Sequence, residues 1–299
     1  MKKDNLQKVL MVFLSCFVIV AMGCEDGCEP QAKYERTVHL SAPMPANNIF
    51  EAQTHNGHID ITGTDVTECS LTATITGRAH TEEEAQKIAE ETTVELVSSG
   101  NTLIAKIEKP KDVPSRRRHV SVSLDVTVPN KTGTDVLTHN GALTIKNLAG
   151  QIKGKTHNGK VAVEKISGTA ELETHNGEIY CEEAEGKTKL LTHNGSITCK
   201  ETSGDTELRT HNGNAEVFYS SDAQPVCNIS AVTHNGSVRL TAPPNLSAKI
   251  EASTHNDSIN TDLPITVTGK LSRQNLRGTI GKGEGKLYLE THNGSINIK

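Results

Sequence analysis

Between Leu143 and Cys199 apolar residues recur two apart in a fixed place: Leu143 and Ile145, Val161 and Val163, Ile179 and Cys181, Ile197 and Cys199. Alternation with period two is the mark of a strand with one buried face. Each pair lies eighteen residues after the last, and each follows the tetrapeptide THNG, at Thr138, Thr156, Thr174 and Thr192. A second glycine, at Gly150, Gly168, Gly186 and Gly204, divides every copy into two halves of nine. Two short strands per eighteen residues, each entered through a glycine turn, make one coil of a β-solenoid. A single coil cannot bury its apolar face, so the coils must stack, at about 4.8 Å per layer.

In-register stacking places equal positions over one another, and the outward columns support that register. Lys153, Glu171, Lys189 and Glu207 share one column and alternate in sign, worth a few tenths of a kcal/mol per contact. Cys181 and Cys199 become neighbours in an inward column; their parallel Cβ vectors suit a disulfide poorly, so they are expected as buried thiols.

The tetrapeptide also occurs at Thr54, Thr210, Thr233 and Thr291, with a THND variant at Thr254, so nine of the thirteen histidines belong to it. Asn140-Gly141, Asn158-Gly159, Asn176-Gly177 and Asn194-Gly195 read as turn dipeptides that accept positive φ, with Asn and Thr side chains able to form ladders along the stack. The histidine is placed at a partly exposed corner. His139, His157, His175, His193 and His211 then form a column near 4.8 Å spacing, which offers nitrogen ligands for Zn²⁺, Cu²⁺ or Ni²⁺. No carboxylate or cysteine within the motif completes a shell, so a structural role is the preferred reading and no cofactor is expected. Calcium at these turns would need aspartates that THNG lacks. Charging neighbouring rings costs about 1 kcal/mol per contact in water, so the row should titrate as a coupled set below about 6.5.

Outside the regular copies the spacing loosens after Thr210, with prolines at 225, 243, 244 and 264. Upstream, Thr81-Glu82-Glu83-Glu84 is a capping box, and Ala85, Ile88 and Ala89 give an apolar stripe, so one helix is expected over 81–92. Residues 34–137 read as a β-rich part containing this helix, continuous with a solenoid over 138–299. An apolar fraction of 34% and only eight aromatic residues suit the narrow core of such a stack.

The chain opens with Lys2, Lys3 and Lys8 followed by an apolar run from Val9 to Met22, too short to span a bilayer comfortably. Residues 1–23 read as a secretory signal. Ala21-Met22-Gly23-Cys24 resembles a lipoprotein lipobox with alanine in place of its usual leucine, so Cys24 is either lipidated or simply the first mature residue, followed by a linker over 24–33. Losing Lys2, Lys3, Lys8 and Asp4, a net +2, moves the charge from −5 to about −7. A mildly acidic exported chain is a poor nucleic-acid binder. The basic cluster Lys109, Lys111 and Arg116 to Arg118 reads as a solvated loop.

NGHIDITG at 56–63, the helix-bearing insertion, VSVSLDVTVP at 120–129, the NG coils and LRGTIGKGEGKLYLETHNGSINI at 276–298 occur in an order that resembles a known family. It is the bacterial β-strand repeat proteins labelled putative adhesins, related to the head domain of autotransporter adhesins. The resemblance covers about Tyr34 to Lys299 and implies a right-handed parallel β-helix at the cell envelope with no assigned activity; the histidine departs from it.

Catalysis needs a one-off constellation, whereas this histidine recurs in equivalent surroundings. The absence of tryptophan and the shortage of tyrosine count against a β-helix enzyme acting on polysaccharide. The expected function is a non-enzymatic, membrane-anchored envelope lipoprotein whose sheet faces bind or scaffold, with an envelope protein or glycan as partner and transition-metal binding by the histidine column as the alternative.

Overall fold

The structure is a computed structural model, and it describes residues 13–15, 32–45, 48–110, 119–268 and 272–299. Cys24 and nearly all of the expected signal lie outside the described residues; Phe13–Ser15 form a strand antiparallel to Thr37–His39. Lys111 and Arg116 to Arg118 of the basic cluster are also outside them. Contacts divide the chain into two compact units, Met1–Thr144 and Ile145–Lys299.

In the first unit three long alternating strands, Ala32–Pro43, Glu68–Ala79 and His119–Pro129, pair antiparallel in that order. The expected helix runs Glu82–Glu91; Thr81 caps it by accepting the Glu84 N–H at 3.2 Å, as the capping box requires. Its apolar stripe of Ala85, Ile88 and Ala89 is buried. Gly77 lets the helix approach the sheet: a Cβ there would lie 2.1 Å from the Ala85 carbonyl oxygen. Arg36 anchors the far end by donating to the Ala89 carbonyl at 2.8 Å. A parallel set accompanies these strands. Ile49–Asn56 pairs with Gly133–Asn140, putting Thr54 beside Thr138 and Asn56 beside Asn140, while Ile59–Thr64 pairs with His119–Pro129.

The second unit is the solenoid. Val161–Asn176 and Ile179–Asn194 are parallel and eighteen residues apart in register, from Val161 beside Ile179 to Asn176 beside Asn194. Positions one lap on continue the stack: Ile179, Ile197, Ala215 and Val238 pair in turn. The inward residues of these strands are fully buried, including Leu172, Leu190 and Leu208. Cys181 and Cys199 are neighbours in register, free and buried, as expected. The hydrogen bond between their thiols, followed by burial, holds Cys181 protonated well above the ordinary thiol range. The charge column is realised too: Lys189 Nζ lies 2.7 Å from Glu171 Oε1.

The top of the stack departs from chain order. Val238–Thr241 pairs not with the next coil in sequence but with Ile296–Ile298, which in turn pairs with Ile259–Thr261. Likewise Gly285–Thr291 lies between Asn228–Val232 and Ala248–Thr254. The coil carrying Thr291 is thus inserted between those carrying Thr233 and Thr254. Asn275–Ile280 then pairs antiparallel with the outer side of Ala248–Thr254 and covers that edge, as solenoid ends require.

The inserted coil contributes Leu287, Leu289, Ile296 and Ile298, all buried, worth roughly 6–12 kcal/mol of apolar burial in total. Deleting residues 285–299 should therefore open both neighbouring layers. Hydrogen exchange is expected to show loss of protection over Asn228–Val232 and Ala248–Thr254; retained protection there would contradict the insertion.

Candidate functional site

Each letter of THNG has a separate physical job. The threonines are buried, and in the stacked coils their hydroxyls donate to a glycine carbonyl of the adjoining layer, Thr174 to Gly159 at 2.9 Å, Thr192 to Gly177 at 2.9 Å, Thr210 to Gly195 at 2.8 Å and Thr291 to Gly236 at 2.7 Å, whereas Thr54 donates to the Val122 carbonyl at 3.0 Å. A buried hydroxyl without a partner costs about 1–3 kcal/mol, so this bond is what admits threonine to the interior.

The asparagines form a ladder on the outside. Asn176 donates Nδ2–H to Asn158 Oδ1 at 2.8 Å, Asn194 to Asn176 at 2.8 Å, Asn212 to Asn194 at 2.7 Å, Asn235 to Asn212 at 2.7 Å and Asn293 to Asn235 at 2.7 Å. Every amide points the same way, so the bonds polarise one another. In the first unit Asn140 donates to Asn56 at 2.9 Å in the same manner.

The reason expected for Asn-Gly needs correction. Asn140, Asn158, Asn176 and Asn194 are not at positive φ; among described non-glycine residues that conformation belongs to Asn147, Lys165, Glu183, Glu201 and Asn245. The first four sit at the opposite corner of successive coils. Gly141, Gly159, Gly177 and Gly195 are likewise not at positive φ, although the motif glycines Gly57, Gly213 and Gly236 are, and what Gly141, Gly177 and Gly195 supply is clearance. A Cβ at Gly177 would lie 1.9 Å from the Gly159 carbonyl oxygen, and one at Gly195 would lie 2.0 Å from that of Gly177. The aspartate variant occurs where the stack ends, and Asp257 uses its carboxylate to accept the Ser258 N–H at 2.8 Å.

The histidines are exposed, ring over ring. In the second unit the order is His157, His175, His193, His211, His234, His292, His255, with centroids 4.6–4.9 Å apart and planes within 2–9° of parallel. His55 and His139 stack at 4.8 Å in the first unit. The spacing comes from the backbone, because each histidine carbonyl accepts from an asparagine of the next layer: His157 from Asn176 at 2.8 Å, His193 from Asn212 at 2.9 Å, His211 from Asn235 at 2.8 Å.

Beside the column in the second unit runs a groove of about 640 Å³, lined by His193, His211, His234, His255 and His292 with Arg209, Glu290 and Gln274. Gln274 is fixed there by donating to the His255 carbonyl at 2.6 Å. Sequence reasoning chose His139, His157, His175, His193 and His211. The groove adds His234, His255 and His292, whose motifs were visible but whose adjacency depends on the out-of-order coil.

Parallel rings also decide what the column can do with a metal. A metal ion lies in the plane of the imidazole that binds it, at about 2.0–2.1 Å from nitrogen. Lone pairs of neighbouring rings here run side by side and do not converge on one point. Among the described residues the three-ligand group lies elsewhere, at His58, Asp60 and Asp125.

These features define a β-solenoid repeat protein with hydrogen-bonded side-chain ladders and an exposed imidazole column. The chain belongs to the Toastrack DUF4097 family, whose model matches residues 47–299. Two solved structures are similar to it: a "putative cell adhesion protein" from Clostridium sporogenes ATCC 15579, 12% identical, covering 90% of this chain and 99% of that one with a TM-score of 0.30, and a "putative adhesin" from Bacteroides fragilis NCTC 9343, 16% identical, covering 88% and 97% with a TM-score of 0.46. Likeness at this level assigns no activity. No curated protein matches the chain.

Replacing Gly195 by alanine should destabilise the second unit by about 2–4 kcal/mol, since the clash is with backbone rather than a movable side chain; denaturant unfolding measures it. A second expectation concerns pH. Burial first, then Lys109 and His139, lower the His55 pKa from its ordinary 6.5. The folded chain therefore binds this proton less readily than the unfolded one, and the associated stability is present above about pH 6.5 and lost as pH falls below it. Charging adjacent rings 4.8 Å apart adds about 1 kcal/mol of repulsion per contact in water. The melting temperature should drop between about pH 7.5 and pH 5, less so in His55→Gln; equal melts would contradict both effects.

Proposed function

We propose that this chain is a non-enzymatic cell-envelope lipoprotein, held in a membrane through Cys24, whose solenoid presents a binding surface along the histidine column. The carrying observation is the repetition of one exposed geometry. Five imidazole edges spaced by one layer each border a single open groove with Arg209, Glu290 and Gln274. A catalytic site would concentrate one nucleophile or acid–base pair at one place; a row of equal donors and acceptors suits an extended partner that repeats as well. An envelope glycan meets that description, since its hydroxyls and ring oxygens offer hydrogen-bonding groups at every sugar.

Two measurements test this reading. Mass spectrometry of the membrane fraction should find a diacylated or triacylated Cys24, and an unmodified terminus would remove the anchor. Cosedimentation with purified envelope polysaccharide should retain the wild type, and the double variant His211→Ala, His234→Ala should be released at least about tenfold more readily, the equivalent of 1.4 kcal/mol. Equal retention of the two proteins would place the binding elsewhere.

A further inference from the structure

The NGHID segment of the first unit puts two carboxylates and an imidazole on one face of a sheet. Ile59–Thr64 and His119–Pro129 run parallel with Asp60 directly beside Asp125. Because successive side chains alternate, His58 lies on the same face as Asp60, with the buried Ile59 between them. The three are half-buried to exposed, and their ligand atoms all lie within 4.8 Å of one another. His58 Nε2 is 3.5 Å from Asp125 Oδ1.

Two like charges directly opposite on neighbouring strands repel, and sheets ordinarily avoid the arrangement. Elsewhere the chain compensates such neighbours. Glu164 and Glu182 are also side by side, but Lys146 lies 2.9 Å from Glu164 and the Tyr180 hydroxyl donates to Glu182 at 2.9 Å. For Asp125 the ion-pairing partner among the described residues is His58, while Asp60 stands within 4.8 Å of both. An imidazole answers two carboxylates incompletely; a divalent cation answers them fully.

We propose that His58, Asp60 and Asp125 form a binding site for a divalent transition-metal ion of the Zn²⁺ type. Zinc takes imidazole nitrogen and carboxylate oxygen at about 2.0–2.2 Å, which sets ligand-to-ligand edges of roughly 3.0–3.5 Å. The His58–Asp125 distance of 3.5 Å is already such an edge. Asp60, whose carboxylate lies within 4.8 Å of both other ligand atoms, closes the group by a side-chain rotation, and the exposure of Asp125 leaves the remaining positions to water. Mixed nitrogen and oxygen donors favour Zn²⁺, Co²⁺ or Mn²⁺ over Ca²⁺, which prefers an all-oxygen cage. The site is separate from the imidazole column, whose parallel rings do not converge.

The test is calorimetric titration of the purified full chain with ZnCl₂, with Co²⁺ absorption as a second readout of nitrogen–oxygen ligation. The wild type should bind one equivalent at this site. His58→Gln, Asp60→Asn and Asp125→Asn should each weaken it by at least about tenfold, the lower end of what even supporting residues cost a metal site. The double variant His211→Gln, His234→Gln should leave it unchanged. All three site substitutions are at solvent-facing positions, and unchanged metal-free melts would verify folding. Absence of Zn²⁺ binding by the wild type, binding that survives Asp125→Asn, or loss confined to the column variant would each overturn the proposal.

Discussion

The interval of one strand spacing between layers governs everything else in the solenoid. Backbone hydrogen bonds from layer to layer fix it, and once identical coils stack in register every side chain must tolerate its own copy above and below. Few residues do so at a tight corner. Glycine leaves room for a carbonyl oxygen, asparagine both donates and accepts and so bonds to itself indefinitely, and threonine reaches a carbonyl while presenting a methyl group to the core. THNG is the set of answers that a repeating corner permits.

Histidine belongs to this set for a different reason. Its ring is flat, so neutral copies can lie face over face at the imposed spacing without steric conflict. Where the outward columns carry lysine and glutamate, alternation in sign pairs neighbouring layers, as between Lys189 and Glu171.

Much of this was legible along the chain. The period of eighteen, the inward pairs, the thiol neighbours, the ion column and the capped helix are all set by local pattern, and local pattern is what a sequence displays. The histidine direction was ambiguous because comparing half-repeats equates it with Leu148, Ile166, Ala184 and Thr202, which are buried. The two corners differ in backbone: Asn147, Lys165, Glu183 and Glu201 turn through positive φ at one, while Asn140, Asn158, Asn176 and Asn194 at the other do not. Asparagine at 147 suits that conformation, but Lys165, Glu183 and Glu201 in the following coils do not announce it. The pairing of Asp60 with Asp125 and the place of the last coil were hidden for another reason: both depend on strands far apart in sequence.

That last coil also sets an order of events. Synthesis delivers a chain from its N-terminus, and layers up to Thr233 can build one on another as they emerge. The segment Ala248–Thr254 arrives next but has no seat, since the strand that separates it from Asn228–Val232 is Gly285–Thr291, still to come. A nascent chain must hold this layer off, with the growing edge uncovered, until Gly285–Thr291 slides in and locks it. Closure of this edge thus waits for Gly285–Thr291, and a chain cut short before them would carry an open, adhesive edge.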